Sequence, residues 1–69
     1  MSGINYPCYW MYKDTQSEWR WTYYASNGEE IAVSSEGYKK RADCRRGIDI
    51  MKGSSDSIVY VPADLINAA

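Results

Sequence analysis

Sixty-nine residues with a net charge of −1 make one small domain, at the size where a lone core is marginal and a disulfide, a metal or a partner chain commonly helps. Seven Tyr and three Trp with no Phe place the apolar surface on amphipathic rings, which excludes a disordered chain and favours self-association. The chain has no His, which removes the commonest general base and metal ligand, and two Cys alone do not build a tetrahedral zinc site.

The first residues, Met1-Ser-Gly-Ile-Asn-Tyr-Pro, have neither a basic n-region nor an apolar h-region, so they do not read as a signal peptide. No apolar run approaches the roughly 18 residues needed to cross a bilayer. A cytoplasmic protein without membrane contact is expected, with Cys8 and Cys44 as free thiols rather than a bridge. Cys8-Tyr-Trp-Met-Tyr-Lys13 is a first predicted strand, and Asp14-Thr-Gln-Ser17 supplies the turn into a second over 18–26. Asn27-Gly28 between two β-rich runs predicts a type I′ hairpin loop into a third strand over 29–34. That loop pairs Ser26 with Glu29, Tyr23 with Ala32 and Thr22 with Val33.

The pleat then sorts the side chains. Trp19, Trp21, Tyr23, Ala25, Ala32 and Ser34 share one face; Arg20, Thr22, Tyr24, Ile31 and Val33 share the other, and Tyr9 and Met11 oppose Trp10 and Tyr12. Both faces carry apolar residues, which is unusual for an antiparallel sheet with one wet side. Gly37 permits a sharp change of direction after the third strand. A helix is expected over 40–52, because Cys44, Gly47, Ile48 and Met51 fall on one stripe. Gly47 costs about 1 kcal/mol relative to Ala in a helix interior, so its place on the stripe points to close approach to the sheet. Cys44 on that stripe is expected buried and Cys8 more exposed. Gly53-Ser-Ser-Asp-Ser57 ends the helix, and Ile58-Val-Tyr-Val61 before Pro62 predicts a short strand over 57–62. A tail with one turn of helix at 64–66 fills 63–69.

The fold class is therefore α+β: an antiparallel three-stranded meander, one helix and a short C-terminal strand in two layers. One helix covers one sheet face. The uncovered face calls for a second copy of the chain, giving a homodimer. Trp10, Tyr12, Tyr24, Ile31, Val33, Ile58 and Tyr60 are its candidate interface.

The ordered set Tyr12-Lys-Asp14, Glu18-Trp-Arg-Trp21, Ala25 with Asn27-Gly28, Ile31-Ala32, Ser34-Ser-Glu-Gly-Tyr38 and Gly47-Ile48 resembles the small YegP-like proteins of uncharacterised function, over 8–52. That family occurs as single units and as tandem repeats, so the resemblance implies a pair of units, reached here by homodimerising. Where the family usually has Ser this chain has Lys40, which removes the expected helix N-cap side chain.

No residue is assigned a catalytic, cofactor or metal role. No serine lies in a nucleophile elbow, no Gly-rich phosphate loop is present, and no small-molecule substrate is indicated. Residues 39–52 hold six cations against two acids, a net +4, while the remainder holds two cations against seven acids, a net −5. Lys39, Lys40, Arg41, Arg45 and Arg46 read first as a solvated helix face. Their second reading is a surface for a nucleic-acid backbone or an acidic partner. The function expected is a non-catalytic homodimeric interaction module, with that basic face as the alternative.

Overall fold

β1 (Cys8–Lys13), β2 (Trp19–Tyr24) and β3 (Glu30–Val33) pair antiparallel in the order β1-β2-β3 in the computed structural model, which describes residues 3–65. The meander expected from the turn signals is thus the sheet observed. Both of its hairpins close in the same way. In the first, the Asp14 N–H donates to the Glu18 carbonyl at 2.9 Å and the Ser17 N–H to the Asp14 carbonyl at 3.0 Å, with Ser17 at φ 61°. In the second, the Ala25 N–H donates to Glu29 O and the Gly28 N–H to Ala25 O, both at 2.8 Å, with Gly28 at φ 85°. Each is a three-residue loop in which a left-handed residue follows the turn.

The type I′ loop expected at Asn27-Gly28 is accordingly corrected. Gly28 takes the positive φ and Asn27 does not; the Asn27 side chain instead accepts a hydrogen bond from the Glu29 N–H at 3.0 Å. The pairs Tyr23–Ala32 and Thr22–Val33 form as expected. Tyr24 then lies opposite Glu30 across a bulge, in place of a regular ladder out to Ser26 and Glu29. The longer loop carries an extra residue on one strand, and the bulge absorbs it.

α1 (Arg41–Lys52) packs over β2 and β1, on the tryptophan face. Trp21, Cys44 and Ile48 are the buried centre, with Tyr9, Met11, Trp19, Tyr23, Ala32 and Tyr38 packed around them. The Tyr9 and Trp21 rings meet edge to face, 5.5 Å between centroids. Gly47 provides the close approach: a Cβ there would lie 2.9 Å from Tyr38 Oη and 3.5 Å from Trp21 Nε1. Met51, expected on the same stripe, is 43 % exposed, because the buried contact ends at Ile48. Lys40 makes no side-chain cap at the helix start, as its amino-acid type implies.

Between β3 and α1 the chain leaves the sheet and returns. The Ser34 N–H donates to Trp21 O at 2.9 Å, while Ser34 Oγ accepts the Trp21 N–H at 3.2 Å in place of a main-chain carbonyl. Tyr38 then exchanges two backbone hydrogen bonds with Trp19, at 2.7 and 2.8 Å. Gly37 serves this excursion by lacking a side chain, since a Cβ there would collide with the Glu18 side chain.

The strand expected over 57–62 is not formed. Among the described residues that segment has no ladder partner, and Ile58, Val59 and Tyr60 are 74 %, 86 % and 84 % exposed. High β propensity makes a strand only where a sheet edge supplies backbone partners. A single 3-10 turn, Ala63–Leu65, follows. The rest of the expected tail, from residue 66, lies outside the described residues.

Candidate interaction surfaces

The helix-free face of the sheet is built in rows by the register. Trp10, Thr22 and Val33 form the central row, Tyr12 and Arg20 the row toward the first turn, and Cys8 and Tyr24 the row toward the bulge. Thr22 is buried at the middle of this face, flanked by the exposed Trp10 and Val33, with Ile31 exposed beside them at the bulge. Tyr12 and Tyr24 are half-buried. Five of the seven expected interface residues therefore gather on one face.

Part of that face is covered from within the chain, which the sequence did not reveal. Tyr6 lays its ring edge to face on Tyr24, 5.8 Å between centroids, and its Cε2 comes within 3.6 Å of where a Gly28 Cβ would stand. Burial and the nearby Glu30 carboxylate push the Tyr24 hydroxyl above its ordinary pKa. At the other end, Arg20 Nε donates to Asp14 Oδ2 at 2.6 Å. This bond and the Glu18 N–H hold the Asp14 carboxyl below its usual range. The remaining two candidates, Ile58 and Tyr60, stand apart on the exposed segment after α1.

The five expected basic residues are all exposed, but they do not form one patch. Two adjacent hollows between β1 and α1 share Met11 and Arg45, one of about 350 Å³ that also includes Lys52 and one of about 480 Å³ that also includes Arg41, whereas Arg46 lines a separate hollow with the acids Glu36 and Asp43. Lys39 and Lys40 precede the helix. Two further cations lie on this side of the sheet: Lys52 lines the first hollow, and Lys13 lies 5.4 Å from the Trp19 ring centroid, where Arg41 also sits at 5.9 Å. Lys13 was separated from the basic run by 25 residues and more, and only the pairing of Lys13 with Trp19 brings it there.

Cys8 is half-buried at the cleft and Cys44 is fully buried, both as free thiols. Burial pushes the Cys44 thiol up, so it stays protonated at neutral pH. Among the described residues no three His, Cys, Asp or Glu side chains group as a metal site, and no helix is long and apolar enough to cross a membrane.

The profile of a family described as a domain of unknown function (DUF1508) matches residues 14–58. A UPF0339 protein of Neisseria meningitidis serogroup B is 38 % identical over 45 residues, which is 65 % of this chain and 79 % of that protein. One from Agrobacterium fabrum is 44 % identical over 45 residues, 71 % of its length. Among solved structures, the NMR solution structure of a protein from Haloferax volcanii superposes with a TM-score of 0.71 at 25 % identity, over 87 % of this chain and 100 % of that one.

Proposed function

The chain belongs to the DUF1508 family of YegP-like UPF0339 proteins, and on that footing we propose that it is a non-catalytic interaction module that works as a homodimer. The observation that carries this reading is the segment 58–61. Ile-Val-Tyr-Val is 51–86 % exposed along its length, although its β propensity is high. Left bare, such a run is an aggregation hazard. β1 and β3 are both sheet edges with backbone groups to offer, so a segment from a second copy meets partners that its own chain does not give it. Exchange of a terminal element is an inexpensive route to a dimer.

The helix-free face adds to the same assembly. Trp10, Ile31 and Val33 are 40 %, 59 % and 53 % exposed around Thr22, and a second copy covers them at little entropic cost because they stand on a sheet. No residue is given a catalytic role in this reading, and Asp14, the acid of the first turn, is engaged by backbone N–H groups and by Arg20.

Light scattering on a sizing column tests this reading. The full chain is expected to elute at about 16 kDa, twice the 7.9 kDa of one protomer. Val59→Asp with Val61→Asp is expected to give a folded monomer, because both positions are exposed in the protomer. Trp10→Asp or Val33→Asp is expected to weaken the dimer more than Lys39→Asp. A wild-type mass of one protomer at tens of micromolar overturns the proposal.

A further inference from the structure

The cleft between β1 and α1 has a charged rim over an apolar floor. Arg41, Arg45 and Lys52 are spaced by four and seven residues, which returns each to the same flank of α1. Together they span the 12 residues of α1, about 16 Å from first to last. Lys13 joins Arg41 at the Trp19 ring and adds a fourth cation beside this flank. Asp49 stands 3.1 Å from Arg45 Nε, in an exposed pair of the kind that adds little. The floor is Pro7, Tyr9, Met11, Tyr23 and Ile48.

We propose that this groove binds single-stranded nucleic acid, with the four cations tracking the phosphate backbone and the Tyr9, Tyr23 and Met11 floor receiving bases. A cationic groove beside ring faces is the combination that holds single strands without reading sequence, because every base has a π face. A row of about 16 Å lets the cations meet successive phosphates of one unstacked strand. A duplex meets the rim but cannot bring its stacked bases to the floor. An acidic peptide meets the rim and leaves the ring floor without a matching group. This surface is independent of the assembly proposed above, and Arg46, Lys39 and Lys40 take no part in it.

The test is fluorescence anisotropy with a short labelled oligothymidylate, titrated with the full chain across a range of salt concentrations. Four phosphate contacts give a slope of log affinity against log salt of about −3, and that slope needs no variant. Arg41→Glu with Lys52→Glu is expected to weaken binding about tenfold or more, and Lys39→Glu with Lys40→Glu to change it far less. Circular dichroism and light scattering on each variant report fold and mass. No binding at low salt overturns the proposal, as do equal losses from the two double variants or equal affinity for the corresponding duplex. If Arg41→Glu with Lys52→Glu instead dissociates a dimer while oligothymidylate binding is unchanged, the groove seats the acid-flanked 56–64 segment of a second copy and the proposal fails. A monomeric wild type that binds with the stated slope sustains it while removing the dimer.

Discussion

Ser34 shows how much a single hydroxyl can decide. It is 4 % exposed, and its Oγ is the acceptor for the Trp21 N–H at the point where the chain leaves the ladder. Ser34→Ala keeps the shape and strands a buried donor, at a cost of about 1–3 kcal/mol. Urea unfolding is expected to show that loss; a change below about 0.5 kcal/mol would mean that another acceptor takes over. Asp14 decides the first turn in a similar way, accepting from the Gln16 and Glu18 N–H groups and from Arg20 Nε. Arg20 is the main reason its carboxyl is lowered below 3.8. The folded-state pKa lies below the unfolded one, so the stabilisation is complete above that unfolded value and is lost as pH falls through the folded one. Stability of the wild type is expected to decline in acid below about pH 4, and Asp14→Asn, which keeps the turn acceptor, to lose that part of the slope. Superimposable acid titrations of the two proteins would contradict this.

At the scale of elements, the two hairpins are one solution used twice, with Gly28 at the left-handed position in one and Ser17 in the other. A residue with a Cβ pays about 1–2 kcal/mol there, and Gly gives back part of that in chain entropy. Ser17→Gly is expected to raise the urea midpoint by up to about 1 kcal/mol of stability, and an unchanged or lower midpoint refutes the strain. The strands, the helix and the pleat faces were legible in the sequence because they rest on local periods: alternation through Trp19, Trp21 and Tyr23, and the stripe through Cys44 and Ile48. The loop type was not, because Asn-Gly suits both a type I′ pair and the last two positions of the longer loop. The pairing of 57–62 was not legible, because propensity tells which residues suit a strand and nothing about which edge receives them. The cleft was hidden for a different reason: Lys13 and Arg41 are far apart in sequence and meet only through Trp19.

The whole molecule is longer than its size suggests. Its radius of gyration is 15.1 Å, against about 11 Å for a compact chain of this length. The extents of 43 × 27 × 23 Å fit a small two-layer body from which the segment after α1 departs. Among the described residues the buried apolar centre of that body is Trp21, Cys44 and Ile48, which agrees with a domain near the lower limit for a lone core. Charge is divided as well. The helix layer carries the +4 of residues 39–52, and the sheet, turns and tail carry the −5 of the remainder. A molecule so divided orients itself toward a charged partner before contact, and added salt weakens that steering.

The strand order β1-β2-β3, in which every strand pairs with its neighbour in sequence through a tight turn, also governs how the chain comes to be folded. Low contact order lets each hairpin close without waiting for a distant segment, and the helix that follows has its docking surface ready. Among the described residues, no strand of the sheet pairs with the segment after α1. Formation of the protomer is therefore a one-chain event whose rate is the same at every concentration, whereas capture of that segment by a second chain is a two-chain event whose rate rises with concentration.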